Sequence, residues 1–457
     1  MKVKMISRNP DDYQRETNKD IYKVVRNWNA PEDPFRAQTE YTRALNATKL
    51  ERVFAKPFVA SLDGHVEGVH ILAKHPNRPS IVLSGARDGQ VKVWALARRH
   101  CLATFQTHNG PVNGISVDKV TGDSFITVGQ DCAINRWRLP QTSSVVGGIS
   151  CDHTDSVLLD GVAHAVSHLA NSSQFVTCGD GVTVWSAQGT TRIREYDVGH
   201  DTAHVVRANP IEEAVLVGAT SDRSIFVIDT RQAVALKKVT MKLRPNMISW
   251  NPLEAYTFAV ASDDYNLYTF DMRYLDSPKF IHTGHTAAVV DLDYSPTGQE
   301  IVSGSFDRSV RIFRANESRS RDVYHTKRMS NVLSVLWSMD NKFVLSGSNE
   351  MNVRVWKAKA AEKIGPLAPR EKAAFMYNEK LREQFKEHPE IRRIARHRNV
   401  PRSIFHASRE HAAIRASQSR KEFNRRRAEG VKDEEVEFVP LVRKAMVRSS
   451  IEASKQR

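Results

Sequence analysis

The side chains best suited to chemistry in this 457-residue chain are arginines. From Pro389 to Arg427 there are eleven arginines and one lysine against three glutamates. Guanidinium forks match phosphate oxygens two at a time and stack on bases, so such a segment suits a polyanion better than a reaction. The leading candidates are Arg392, Arg393, Arg396 and Arg398, then Arg425, Arg426 and Arg427, with Arg402, Arg420 and Lys421 between them. Strong apolar residues are sparse here: Ile404, Phe405, Ile414 and Phe423. A helix this polar needs a partner to be stable. RNA suits an arginine-rich segment that folds on binding. A solvated charged helix and a nuclear import signal are the competing readings.

Catalytic constellations are missing from the sequence. His200-Asp-Thr-Ala-His204 has the spacing of a helical zinc pair, but it sits in a Gly-His turn and lacks the glutamate base. There is no GxxxxGK[ST] phosphate loop and no GxSxG elbow. The four cysteines, Cys101, Cys132, Cys151 and Cys178, form no CxxC pair and no disulfide framework. They read as small buried thiols in a reducing compartment. No enzyme activity, metal or cofactor is expected, and no apolar run is long enough for a membrane helix.

A second pattern suits protein docking. Ile228-Asp229-Thr230-Arg231 and Phe270-Asp271-Met272-Arg273 place an aspartate and an arginine two apart at the ends of consecutive repeats. Both resemble the Trp-Asp-x-Arg motif by which substrate receptors dock on the adaptor of cullin-RING ubiquitin ligases, although neither has the tryptophan. A rim salt bridge is the structural alternative.

These groups must be positioned by a repeat. Ser303-Gly-Ser-Phe-Asp307-Arg-Ser-Val-Arg-Ile-Phe313 recurs as a segment ending at Trp94 and another ending at Trp356. Weaker copies end at Trp137, Trp185, Ile228 and Phe270, giving a period near 43 residues. Each unit reads as four short strands separated by turn residues, and the Gly-His…Trp-Asp type of signature matches one WD-repeat propeller blade per unit. The fold expected is all-β, a seven-bladed propeller over 52–358 with a basic helical extension. Phe54–Leu62 should supply the missing outer strand and close the ring. His65, Ser84, Asp88 and Trp94 are expected to form a buried polar chain in the first blade. His285, Ser303 and Asp307 should do so in the sixth, where Phe313 cannot donate.

Charge is segregated around this body. The chain carries +15 overall. Residues 1–62 hold 12 basic and 8 acidic groups, 63–356 hold 29 and 30, and 357–457 hold 26 and 14. A neutral platform with a basic arm is a common arrangement for binding polyanions. In the arm, Pro369 opens a helix whose Ala374, Tyr377, Leu381, Phe385 and His388 share one face, read as a docking surface on the propeller. Residues 1–51 are expected to lie extended, with Tyr13, Tyr22, Trp28, Phe35 and Tyr41 as anchors. Residues 359–457 are read as one basic helical domain.

Four stretches point further: Arg8–Tyr13, Arg43–Phe58, Pro369-Arg-Glu-Lys-Ala-Ala374 and Ile391-Arg-Arg-Ile-Ala-Arg-His-Arg398. With the repeats, they resemble the Sof-type WD-repeat family over the whole chain. The resemblance implies a nucleolar component of the small-subunit processome. Its expected partners are pre-ribosomal RNA, the box C/D small nucleolar RNA particle and other processome proteins. Animal members of the family are also described as cullin-ligase substrate receptors, which implies a cullin-ligase adaptor as a further partner for the Asp-x-Arg pair.

Overall fold

The computed structural model describes residues 35–139, 152–189, 191–199, 201–232 and 237–428. The stretch Arg8–Tyr13, the aromatics Tyr13, Tyr22 and Trp28, and Cys151 and His200 lie outside the described residues. Each repeat is a four-stranded antiparallel sheet, and the seven sheets are the blades of a propeller. Blades one to six run through 69–106, 112–158, 165–196, 203–240, 245–282 and 289–324. The seventh takes three strands from 332–357 and its fourth from Phe58–Asp63.

Burial explains the strand sequences. The second strand of each blade is covered on both faces by its neighbours, so Thr257–Ser262 is buried at every position and reads as an unbroken small-and-apolar run. The fourth strand is the rim, and Arg192–Tyr196 buries only Tyr196. The core lies between blades. One cluster joins Val217, Ile225 and Val239 of blade four to Ile248, Phe258 and Phe270 of blade five.

Ring closure follows the sequence expectation. Phe58–Asp63 pairs antiparallel with Asn352–Lys357, setting Leu62 opposite Val353. Leu62 is buried in a cluster with Val69 and Trp94 of blade one. The edge strand that would otherwise template aggregation is thereby paired.

In six of the seven blades the turn between second and third strands holds a left-handed residue. Gly89 fills it in blade one at φ 81°, where an added Cβ would sit 2.0 Å from the His108 carbonyl oxygen. Cys132, Arg223, Tyr265, Arg308 and Met351 occupy the equivalent position with φ between 57° and 71°. Each of these accepts about 1–2 kcal/mol of backbone strain.

Four helices complete the described chain: α1 (Arg36–Val53), α2 (Pro369–Gln384), α3 (Pro389–Arg396) and α4 (Arg402–Ala428). They fall into two compact units, α1 and α2 in one and α4 with the propeller in the other. Of the described residues, 35–53 and 365–395 make one unit, and 54–364 with 396–428 make the other.

The first unit corrects two expectations. Where an extended segment was expected, Arg36–Val53 is helical. Its buried face is built from small residues, Ala44, Ala47 and Thr48, which carry little hydrophobic signal. Leu381 of α2 and Phe385 just after it pack with Ala44, Tyr41, Leu45 and Ile391, so their partner in this unit is α1. Tyr41 donates to Glu390 at 2.7 Å and its ring lies 4.3 Å from that of His388. Arg382 pairs with Glu51, and Arg52 donates to the Ala395 carbonyl at the end of α3. Ala374 and Tyr377 stay exposed.

Candidate interaction surfaces

The buried polar chains are the most rigid features of the propeller. In blade two, Trp137 Nε1 donates to Thr127 Oγ1 at 3.3 Å. The threonine lies 2.9 Å from His108 Nε2, and His108 Nδ1 donates to Asp131 at 2.9 Å. The Gly-His signature finds only His108 of this set. The other members were findable, because each lies 43 residues after its blade-one counterpart, with Thr127 standing for Ser84.

Blade one makes half of its expected chain. Trp94 donates to Ser84 Oγ at 2.7 Å, and His65 Nε2 lies 2.6 Å from the same oxygen. Asp88 does not join: its Oδ1 accepts from the Gln90 amide, while Asp88 Oδ2 and His65 Nδ1 are both buried without a partner. The repeat register brings these residues near each other, but the side-chain rotamer decides whether the carboxylate reaches.

In blade six, His285 bridges Ser303 at 2.7 Å and Asp307 at 2.9 Å, and the indole position is Phe313. Burial raises the Asp307 pKa, but His285, Arg311 and Ser309 outweigh it and hold the carboxyl below its usual range. Burial lowers His285, against the attraction of Asp307. These groups are framework.

The two Asp-x-Arg corners occupy equivalent places. Asp229 pairs with Val215 and Asp271 with Thr257, each at the end of its blade's third strand. Consecutive blades therefore present both corners on one rim. In each, the aspartate accepts the backbone amide of the arginine two residues on, at 2.9 Å for Arg231 and 3.0 Å for Arg273.

The guanidinia differ. Arg273 grips its own aspartate with Nε at 3.1 Å and Nη2 at 2.8 Å, and lies over the Tyr256 ring at 4.4 Å. The hydrogen bond from Arg273 is the main reason Asp271 sits below the usual carboxylate range. Arg231 is exposed, and among the described residues its side chain makes no such grip. Its corner is instead held from blade three, where Arg194 Nη1 donates to the Thr230 carbonyl at 2.6 Å and Tyr196 to the same oxygen at 3.1 Å.

The arginines of the basic arm are also unequal. Arg392 pairs loosely with Glu387 at 3.7 Å, and Arg393 and Arg396 are exposed. Arg398 donates to the Ser320 carbonyl on the outer strand of blade six. Arg426 is held by Glu422 at 2.5 Å. Arg402, Arg420, Lys421, Arg425 and Arg427 are exposed along α4. This helix buries Ile404 and brings His411 within 5.2 Å of Tyr265 in the blade-five turn.

Comparison with known proteins follows this division. The WD domain, G-beta repeat family model matches residues 56–95, 277–314 and 322–357, and the Sof1-like domain model matches 358–446. Human "DDB1- and CUL4-associated factor 13" is 49% identical over 442 residues, 97% of both chains. The chain belongs to this Sof1-like WD-repeat family. The Xenopus laevis relative of the same name is 50% identical over 427 residues, 93% of this chain and 95% of its own. The Dictyostelium discoideum relative is 40% identical over 408 residues, 89% of this chain and 90% of its own. Among solved structures, the WD40 β-propeller domain of Doa1 superposes with a TM-score of 0.54 at 20% identity, covering 66% of this chain and 96% of that one. That likeness concerns the fold alone. The Sof1-like match begins directly after the last propeller strand, Asn352–Lys357, and takes in α2, α3 and α4.

Proposed function

We propose that this protein is a non-catalytic scaffold whose propeller docks an adaptor of the DDB1–CUL4 kind through the corners at Asp229–Arg231 and Asp271–Arg273. The observation carrying this reading is that two equivalent Asp-x-Arg corners share one rim of consecutive blades, in a chain whose relatives at 49–50% identity are named for association with DDB1 and CUL4. An adaptor carboxylate would meet Arg231 directly, whereas it would have to compete with Asp271 for Arg273. The test is co-purification of DDB1 with the tagged protein and its variants. Arg231→Ala should reduce recovery more than Arg273→Ala, and the double variant should lose it by tenfold or more. Undiminished recovery with the double variant would sink the reading.

A second reading is supported by the Sof1-like match and the arginines it contains. In it the protein is an assembly factor of the nucleolar small-subunit processome. Its basic arm contacts pre-ribosomal RNA or the box C/D small nucleolar RNA particle, and its propeller engages other processome proteins. Ultraviolet crosslinking of the tagged protein in cells, with sequencing of the attached RNA, tests it. Small-subunit precursor RNA crosslinked to peptides from 389–427 is the expected result, and recovery of DDB1 with no RNA is the opposite one.

A further inference from the structure

The docked register of α4 decides which of its arginines face outward. Ile404 is buried, and Ala407 and His411 are half-buried, so these three mark the face turned to the propeller. At 3.6 residues per turn, Arg402, Arg409, Arg420 and Arg427 fall within about 20° of one another on nearly the opposite side. All four are exposed, and among the described residues no hydrogen bond or ion pair engages their guanidinia. Arg426 and Arg398, by contrast, are engaged by Glu422 and the Ser320 carbonyl.

The same face carries two exposed phenylalanines. Phe405 is 58% and Phe423 40% exposed. Each lies three residues after one arginine of the file and four before the next. Arg402-x-x-Phe405-x-x-x-Arg409 and Arg420-x-x-Phe423-x-x-x-Arg427 are therefore the same pattern repeated. The repeat is 18 residues, which is five full helical turns, so both units point the same way about 27 Å apart. Residues three and four apart on a helix are neighbours, so each ring sits between two of these guanidinia.

We propose that these two Arg-Phe-Arg units are paired grips for single-stranded RNA, the arginines taking successive phosphates and each phenylalanine stacking one base. The proposal rests on the RNA-binding reading above. Arginines alone would fit any polyanion. An aromatic face within one turn of two unpaired guanidinia adds a site for an unstacked base, which a duplex keeps stacked inside and an acidic peptide lacks.

The test measures binding of the full-length chain to a fluorescein-labelled oligouridylate long enough to bridge both units, titrated across a range of salt. A duplex of the same length and phosphatidylserine vesicles serve as competitors. Replacing Arg402, Arg409, Arg420 and Arg427 by alanine should lower the slope of log K against log salt by about 2.8, at about 0.7 per phosphate. The corresponding lysine set should restore most of that slope. Phe405→Ala and Phe423→Ala should each weaken binding about tenfold.

Three results would overturn the proposal. One is a slope carried by Arg392, Arg393 and Arg396 while the four file arginines contribute nothing, which leaves the RNA-binding reading standing. Another is competition by duplex or vesicles with no dependence on either phenylalanine. Failure of the unmodified chain to bind RNA at low salt would remove both the proposal and the reading beneath it.

Discussion

Arginines of the propeller and arginines of α4 are used in opposite ways. Arg311, Arg321 and Arg354 are drawn into the blades: Arg321 pairs with Glu300 and Asp322, and Arg354 pairs with Glu350 and donates to Ser348 at 3.0 Å. Arg311 is buried beside the His285–Asp307 pair. On α4, four guanidinia stand in solvent without partners among the described residues. The difference teaches that a basic residue is most available for binding where no acid already occupies it. The 29 basic and 30 acidic groups of residues 63–356 nearly cancel, while the arm carries an excess of base. Perturbing the buried set should therefore damage folding, and perturbing the displayed set should not.

Acid should have the largest effect. His65, His168 and His204 are pushed down to about 4, chiefly by burial; Lys92 also lowers His65, Lys119 and Arg136 lower His168, and Arg244 lowers His204. In an unfolded chain the same groups titrate near 6.5. Between about pH 6.5 and pH 4 the unfolded chain thus binds protons that the folded one refuses, and stability falls as pH falls. Each histidine contributes about 1.4 kcal/mol per pH unit within that window and nothing further above it. Urea midpoints at pH 7.5 and pH 5 measure this. An unchanged midpoint would mean that water reaches these rings.

Removing a buried partner comes next. Asp307 accepts from His285, from Thr286 N and from both N and Oγ of Ser309, with only 1% of its side chain exposed. Asp307→Ala leaves these donors without their acceptor and the nearby buried Arg311 without its countercharge, a loss of about 3–5 kcal/mol. Asp88→Ala at the equivalent place in blade one removes a single amide contact and should cost about 1 kcal/mol. Denaturant titration of the two variants side by side would expose any error in the contrast: equal losses would mean that the His65–Asp88 bond does form in solution.

The propeller is legible in the sequence because its signal is periodic. One residue type at one place in a 43-residue unit predicts a turn, a strand end or a serine under an indole, and the closing strand follows from a blade one strand short. Helix α1 is hidden for the opposite reason. Its buried face is alanine and threonine, and its partner Leu381 is more than three hundred residues away. The basic arm is legible as composition but not as geometry. Arg409 stands outside any cluster and so draws no notice in the sequence, whereas Arg426 lies in one although Glu422 holds it. Which arginines point outward depends on the face that Ile404 and His411 fix against the propeller. The spacing of the arm does not encode that face by itself.

The smallest expected effect separates the two classes most sharply. Exposed side chains without partners contribute little to folding, so alanine at Arg402, Arg409, Arg420 and Arg427 together should move the melting temperature by no more than about 2 °C. Differential scanning calorimetry of this variant beside Ile404→Ala, which strips the buried anchor of α4, is the decisive pairing. If the arginine variant melts as early as the anchor variant, the file is holding α4 in place, and its guanidinia serve the protein's own structure just as those of the blades do.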